Sequence, residues 1–306
     1  MSYLSKGIKV LKRNKWRYLA IFVGFFLLVG PFALLPWDVY TVTGSDLTPS
    51  VHTFCYRMPL FWLSGSDPFL VDVEIATYFF VAIVFLAAVI SPLFCGWICP
   101  VGGLSEGISR IIPIPNRFRI FLRDTRVTVG LRYGFFAGFL LLATLIGYGF
   151  VAEQYGGVTA RYCPQYLLQS FSYMIFGGGS VIRVWNTGFI LTLVSWLVIG
   201  GVLFLGGRGW CLFLCPLGAM SGLACKCGNK AGTLGIQFDE SKCRNCKNCS
   251  TRCPMWAIRE DGTVEKLLCI GCRECVTACH FKAYRYGLKG SPHKVLIEVK
   301  DEEVKP

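Results

Sequence analysis

The stretch Cys243-Arg-Asn-Cys246-Lys-Asn-Cys249-Ser-Thr-Arg-Cys253-Pro254 is followed by Cys269-Ile-Gly-Cys272-Arg-Glu-Cys275-Val-Thr-Ala-Cys279. Both stretches have the spacing Cys-x2-Cys-x2-Cys-x3-Cys. A proline follows the fourth cysteine of the first stretch, and His280 holds that place in the second. With this spacing one tight loop supplies three thiolates to a cubane, and the fourth cysteine of each run ligates the other cluster.

The two runs therefore predict two 4Fe-4S clusters with crossed ligands. The first cluster is predicted at Cys243, Cys246, Cys249 and Cys279, and the second at Cys269, Cys272, Cys275 and Cys253. A disulfide scaffold or a pair of zinc knuckles also uses Cys-x-x-Cys, but neither repeats this four-cysteine spacing twice. Residues 241–288 are predicted to form an α+β ferredoxin domain of the bacterial 2×4Fe-4S type.

The remainder of the chain is strongly apolar. Of its 306 residues, 54% are hydrophobic, and the mean hydropathy is +0.52. About 20 apolar residues are needed to span a bilayer as a helix, and four segments meet this length: 18–35, 74–94, 129–152 and 187–205. We predict an α-helical membrane protein with a four-helix transmembrane bundle. The first span reaches Pro36 without a small-x-small cleavage site, which favours a retained helix over a signal peptide.

Positively charged residues predict the orientation in the inner membrane, because cytoplasmic loops are enriched in Lys and Arg. They cluster before the first span and between the second and third spans (Lys6, Lys9, Lys12, Arg13, Lys15, Arg17; Arg110, Arg117, Arg119, Arg123, Arg126). Both termini and the ferredoxin domain are therefore predicted to be cytoplasmic. The predicted organisation is a basic N-terminus (1–17), the transmembrane domain (18–222), a linker (223–240), the ferredoxin domain (241–288) and a polar tail (289–306).

The formal charge of +13 does not indicate a nucleic-acid partner. The basic residues flank the predicted spans and the cysteine runs, and no base-stacking module accompanies them. The partner that composition predicts is the lipid bilayer.

An internal repeat introduces a second set of cysteines. The sequence Cys95-Gly-Trp-Ile-Cys99-Pro100 follows the second span, and Cys211-Leu-Phe-Leu-Cys215-Pro216 follows the fourth. Two hairpins with the same orientation form a parallel repeat, which brings the motifs together. Because cysteines four apart share one face of a helical turn, we predict a further iron-sulfur or redox site. The alternatives are that these cysteines are small buried hydrophobic residues, or that Cys225 and Cys227 complete a site with the second motif.

Two more cysteines, Cys55 and Cys163, lie in the predicted outer connections. In an oxidising compartment such a pair is most simply a disulfide between the two hairpins. A ligand or redox role near a quinone is the alternative.

The four spans, the two Cys-x3-Cys-Pro motifs and the two ferredoxin runs resemble the NapH/MauN family of membrane iron-sulfur quinol dehydrogenase subunits. The resemblance extends from the first span to about Gly287, and NosR-type and CcoG-type proteins share the motif set. It implies oxidation of quinol from the membrane pool and electron transfer through 4Fe-4S clusters to a partner redox protein, an iron-sulfur or cytochrome subunit. Cys55, Cys163 and the Cys225-Lys-Cys227 pair are departures from the family pattern.

A quinone pocket needs an apolar cleft and a few polar groups that bind the two oxygens and move protons. The outer connections offer five candidates: His52, Arg57, Glu74, Glu153 and Gln154. Polar residues at span ends are, alternatively, solvated or bound to lipid headgroups. The main competing function is a maturation factor that uses the clusters to reduce a metal or thiol of a client respiratory enzyme. A purely structural anchor would not require the repeated cysteine motif.

Overall fold

The computed structural model describes residues 14–29, 70–112, 114–122, 124–151, 164, 167–168, 172, 175–176 and 187–288. Four helices fall on the predicted spans: α1 (Lys15–Leu28), α2 (Leu70–Ile90), α4 (Thr125–Gly147) and α5 (Thr187–Val194), which continues as a π-helical segment, Ser195–Leu203. Helix α4 begins after Asp124, whose carboxylate accepts a hydrogen bond from the backbone N–H of Arg126 at 2.8 Å and so caps the first turn.

Within the described residues, one helix is long and apolar enough to cross a membrane, Thr125–Ile146. Two shorter apolar helices, Tyr78–Ile90 and Ile190–Leu203, belong to the second and fourth predicted spans. The described part of the protein is thus mostly helical with one candidate span, and the four-helix transmembrane bundle stays a prediction.

Each Cys-x3-Cys-Pro motif lies where two helices meet. In the first copy a π-helical turn, Phe94–Ile98, is followed by α3 (Pro100–Ile111); in the second, α6 (Gly209–Phe213) is followed by α7 (Pro216–Lys230). Cys99 and Cys215 are the N-cap residues of α3 and α7, with ψ of 113° and 112°. Proline suits the next position, because the first helical N–H has no intrahelical partner. The predicted single helical turn is therefore wrong: the chain bends inside each motif.

The ferredoxin region contains a two-stranded sheet and two short helices. Strand β1 (Leu234–Phe238) pairs antiparallel with β2 (Tyr284–Leu288), with Ile236 opposite Tyr286. Helices α8 (Asn248–Arg252) and α9 (Glu274–Ala278) each contain the third cysteine of their run and end just before the fourth.

The segment 223–240 is not a separate linker. Helix α7 continues to Lys230, and β1 occupies most of the remainder. Because β1 pairs with the strand that closes the ferredoxin segment, the ferredoxin unit starts before Ser241, at about Leu234.

Among the described residues, the largest hydrophobic core joins the helical region and the ferredoxin region. It is centred on Trp256, Leu268 and Leu212, which are at most 2% exposed. Leu212 belongs to the second Cys-x3-Cys-Pro motif, whereas Trp256 and Leu268 belong to the ferredoxin region. The ferredoxin unit is therefore packed directly on the ends of the long helices.

Candidate iron-sulfur site

The predicted ligands of the second cluster surround a single cavity. Cys253, Cys269, Cys272 and Cys275 all line it, together with apolar side chains that include Ile236 and Ile270. Burial raises the pKa of Cys269 and of Cys272 to about 11, and it also raises the pKa of Cys253 and Cys275. These thiols lie near one another, so each thiolate would raise the pKa of the next. The structure thus brings together a cysteine of the first run and three of the second.

The predicted ligands of the first cluster lie nearer the surface. Burial raises the pKa of Cys249, and Cys279 from the second run lies close enough to raise it further. Cys249 Sγ donates to the Tyr284 hydroxyl at 3.4 Å, and that hydroxyl donates to the Gly262 carbonyl at 2.5 Å. Cys246 is exposed. This set therefore faces solvent more than the second set does.

Backbone N–H groups point at the sulfurs in the same way in both runs. The N–H of Ala257 donates to Cys253 Sγ at 3.3 Å, and the N–H of Ala283 donates to Cys279 Sγ at 3.4 Å. Equivalent residues of the two runs also adopt left-handed backbone conformations: Asn245 and Gly271, Lys247 and Arg273, Trp256 and Lys282. Such turns direct consecutive N–H groups into a concavity that favours negative charge.

Among the described residues, no three His, Cys, Asp or Glu side chains converge closely enough to hold a single metal ion. A cubane does not require this, because each thiolate ligates a different iron.

The two Cys-x3-Cys-Pro motifs are adjacent in space. Burial raises the pKa of Cys95 and of Cys215 to about 12, and both lie within electrostatic reach of Cys99. Burial also raises the pKa of Cys211, which is near Cys215 and Cys99. The N–H of Gly218 donates to Cys215 Sγ at 3.4 Å. The four thiols of the two repeats thus lie near one another, and the cluster at this place stays a prediction.

Both motifs pack against the loops that carry the predicted ligands of the second cluster. A methyl group at Gly96 would lie 2.3 Å from the Ile270 carbonyl oxygen, so only glycine permits this approach. Trp97 Nε1 donates to the Gly271 carbonyl at 3.2 Å, and the Arg273 guanidinium lies 5.3 Å from the Trp97 ring centroid. The first motif thus touches the loop that contains Cys272.

The loop before the second motif contacts the residues that follow Cys253, another predicted ligand of the second cluster. Gly206 adopts φ +88°, and a methyl group there would lie 2.6 Å from Pro254 Cα. Trp256 Nε1 donates to the Leu205 carbonyl at 2.8 Å. Pro254 directly follows Cys253. The two repeats together therefore contact both cysteine runs that supply the predicted ligands of the second cluster.

A buried ion network lies where the two Cys-x3-Cys-Pro motifs pack against the ferredoxin loops, a region called the junction below. The sequence does not predict this network. Glu106 accepts hydrogen bonds from Arg17 (2.6 and 2.9 Å), Arg208 (2.7 Å) and Arg110 (2.8 Å). Arg17 also donates to Glu274 at 2.8 Å and to the Gly96 carbonyl at 2.8 Å. Except for Arg110, these charged side chains are at most 1% exposed. From sequence, Arg17 and Arg110 indicate only topology, because ion pairing between distant segments leaves no local pattern.

A signal for these residues did exist in the repeat. Arg17-Tyr18 opens the first hairpin and Arg132-Tyr133 opens the second, and both arginines are 1% exposed. The tyrosines behave alike too: Tyr18 donates to Glu106 on α3 at 3.2 Å, and Tyr133 donates to the Ala219 carbonyl on α7 at 3.1 Å. The duplication therefore includes the first helix of each hairpin as well as the cysteine motifs.

The other predicted residues are not part of this group. Cys225 is buried against Ser91, with 3.6 Å between Oγ and Sγ, and Cys227 is exposed. Neither is grouped with Cys211 and Cys215. His52, Cys55, Arg57, Glu153, Gln154 and Cys163 lie outside the described residues, and only the helical backbone of Glu74 is described. The quinone site and the disulfide stay predictions.

Comparison with known proteins identifies the repeated motif. The family described as "4Fe-4S binding domain" matches residues 76–120 and 189–233. Each match includes one Cys-x3-Cys-Pro motif and the helix before it. The chain thus carries a 4Fe-4S binding domain twice, and the internal repeat is confirmed.

Relatives that match two thirds or more of the chain, or close to it, point the same way. "Ferredoxin-type protein NapH" of Haemophilus influenzae is 28% identical over 68% of this chain and 67% of its own length. NapH of Escherichia coli is 24% identical over 88% of both chains. "Putative electron transport protein YccM" of E. coli is 29% identical over 65% of this chain, which spans about half (52%) of that relative. No solved structure matches. The resemblance indicated by the cysteine motifs is confirmed: the chain is similar to ferredoxin-type NapH proteins and carries 4Fe-4S binding domains.

Proposed function

We propose that this chain is a membrane-bound electron-transfer subunit that oxidises quinol and passes electrons through 4Fe-4S clusters to a partner redox protein. The observation that carries the proposal is a continuous series of cysteines in one hydrophobic core. That core includes cysteines of both repeats and of both ferredoxin runs: Cys95, Cys211, Cys253, Cys269, Cys272, Cys275, Cys243, Cys249 and Cys279. The series leads from the ends of the long helices to the exposed side of the ferredoxin unit.

The two ferredoxin sites fit 4Fe-4S clusters in several respects. Cys253, Cys269, Cys272 and Cys275 line one cavity, Cys249 and Cys279 are neighbours, and backbone N–H groups donate to the sulfurs. We assign the second cluster to the first group and the first cluster to Cys243, Cys246, Cys249 and Cys279. When bound, each cluster accepts one electron at a time. The protein's part is to hold the thiolates and keep the second site dry.

The four cysteines of the repeats fit a third cluster. They are contributed equally by two copies of a 4Fe-4S binding domain, and they lie between the long helices and Cys272. Without a redox group at this position, an electron would have to cross the junction through protein alone. We therefore assign Cys95, Cys99, Cys211 and Cys215 to a relay that receives electrons from the membrane.

The outer surfaces of the long helices support a membrane location. Phe22 on α1, Phe85 on α2, Phe135 on α4 and Leu191 on α5 are between 54% and 65% exposed. Large apolar side chains exposed on four helices are unusual for a protein surrounded by water. We place these helices across the inner membrane, with the basic loops and the ferredoxin unit on the cytoplasmic side.

Quinol-driven reduction of the clusters tests this function. The purified protein is placed in lipid nanodiscs, a reduced short-chain quinol is added, and loss of visible absorbance and the appearance of EPR signals are followed. We expect quinol to reduce a large share of the clusters that dithionite reduces. Cys99→Ser should prevent the quinol reaction, and Cys227→Ser, which alters an exposed cysteine of the same segment, should not.

Reduction by dithionite but not by quinol in the wild-type protein would overturn the proposal. It would favour the maturation-factor function instead, which needs the same clusters but no quinol. Equal rates in Cys99→Ser and wild type would remove only the relay.

A further inference from the structure

The buried charges at the junction do not balance among the described residues. Four arginines (Arg17, Arg110, Arg132 and Arg208) lie in or beside the ion network, but only two carboxylates, Glu106 and Glu274, form ion pairs with them. Two positive charges are left over. An uncompensated buried charge is strongly unfavourable, so an anion that is not among the described residues should neutralise this excess.

Arg132 contributes most directly to this excess. It is 1% exposed, and no described carboxylate forms an ion pair with it. Its Nη1 donates to the Leu267 carbonyl at 3.0 Å, and its Nε has no hydrogen-bond partner. Nη2 of Arg208 is likewise buried without a partner. Buried guanidinium groups with unused donors are typical of sites that bind an anion.

The two arginines flank the cysteines of the repeats in equivalent ways. A methyl group at Gly102 would lie 2.6 Å from Arg208 Nη1 and 3.0 Å from Cys211 Sγ. A methyl group at Gly218 would lie 2.7 Å from Arg132 Nη2 and 3.6 Å from Cys215 Cβ. Both glycines are the third residue after the second cysteine of their motif, and their lack of a side chain leaves room for a guanidinium beside the sulfurs.

The repeat explains why Arg132 lacks a carboxylate. Arg17, its counterpart in the first hairpin, is neutralised by Glu106 on α3. In the second copy of the motif the position of Glu106 is taken by Gly222. A methyl group at Gly222 would lie 2.2 Å from the Leu267 carbonyl oxygen. The ferredoxin loop therefore occupies the place of a carboxylate and offers Arg132 a neutral acceptor.

We propose that Arg132 and Arg208 supply the counter-charge for an anionic iron-sulfur cluster at Cys95, Cys99, Cys211 and Cys215 and thereby raise its reduction potential. The inference rests on the relay assigned under the proposed function. A cubane with four thiolate ligands carries roughly two negative charges, which matches the excess of the network. Reduction adds one more negative charge, and nearby guanidinium groups stabilise the reduced form. Net charge and hydrogen bonds to sulfur set such potentials.

The test is a redox titration of the purified protein in nanodiscs followed by EPR. The relay signal is defined as the one that Cys99→Ser abolishes and Cys227→Ser retains. We expect Arg132→Gln to shift the ratio of reduced to oxidised relay at least tenfold towards the oxidised form, about 59 mV for a one-electron couple. Arg132→Lys should recover most of the shift, because it restores the charge. The control Arg119→Gln removes an arginine whose Nε is also buried without a partner but whose hydrogen bonds go to Ser109 and Ile112.

The structural alternative is that Arg132 only anchors the ferredoxin loop through Leu267. In that case the midpoint of the relay would be the same in Arg132→Gln and wild type, and the inference would be overturned. If Arg132→Gln does not accumulate, Gly218→Ala displaces the guanidinium without removing it. A shift of the same sign supports the inference and an unchanged midpoint refutes it. If the wild type has no signal that depends on Cys99, both the inference and the relay are refuted, whereas an unchanged midpoint refutes the inference alone.

Discussion

Glu106→Gln should strongly destabilise the protein, because Glu106 is the centre of the buried ion network. The variant keeps the side-chain size but removes the charge, and it places an amide NH2 among guanidinium donors. Glu106 is 0% exposed, and its two oxygens accept from Arg17, Arg208 and Arg110 at 2.6 to 3.1 Å. Removing one partner of a buried ion pair costs about 3–5 kcal/mol, a large share of a typical stability of about 5–15 kcal/mol.

The expected effect is measurable as a melting temperature. At about 2–4 °C per kcal/mol for a domain of about 150–250 residues, the loss corresponds to roughly 6–20 °C. Tryptophan fluorescence of the detergent-purified protein follows the transition. The matched control is Lys242→Gln, which breaks an exposed pair with Asp239 (58% and 39% exposed) and should leave the melting temperature unchanged. A Glu106→Gln protein that melts within about 2 °C of wild type would refute the assigned role of the network.

Three further outcomes follow from the junction and the cysteine sites. Gly96→Ala should push the ferredoxin loop away from the first motif and slow quinol-driven reduction at least tenfold. Gly107→Ala is the control, because the added methyl group has no atom within 4 Å and should not change the rate. Stopped-flow absorbance compares the two variants. Cys253→Ser should abolish the EPR signal of the second cluster, and loss confined to the first cluster would disprove the crossed ligands. Iron loading of the metal-free protein should fall as pH decreases, because thiols such as Cys95 and Cys215, with pKa raised to about 12, must release protons; loading independent of pH between 6 and about 9 would contradict this.

Much of the chemistry could be predicted from local sequence. The spacing of the ferredoxin runs indicates that Cys253 ligates the second cluster, because in runs of this spacing one tight loop supplies three thiolates and the fourth cysteine ligates the other cluster. The duplicated motif indicates that Cys95 and Cys211 lie together, because a parallel repeat places equivalent residues at the same membrane face around a common axis. In both cases a short motif encodes the arrangement.

Features that depend on distant contacts were not predictable in this way. The sequence predicts a linker where β1 lies, because five residues that pair with a strand at the far end of the unit have no distinctive periodicity. The bend at Cys99 was missed, because a Cys-x3-Cys spacing fits one helical turn equally well and only the following proline indicates a new helix. The pairing of Arg17 with Glu106 and Glu274 joins three separate regions of the chain.

The most direct test of the account is the iron content of the purified protein together with its rate of reduction by quinol, in wild type and in a Cys99→Ser, Cys215→Ser double variant. We predict that wild type contains iron for three cubanes and is reduced rapidly by quinol. The double variant should contain iron for two and react with dithionite but hardly with quinol. Equal iron content and an undiminished quinol reaction in the double variant would contradict the account, since these cysteines would then be packing residues.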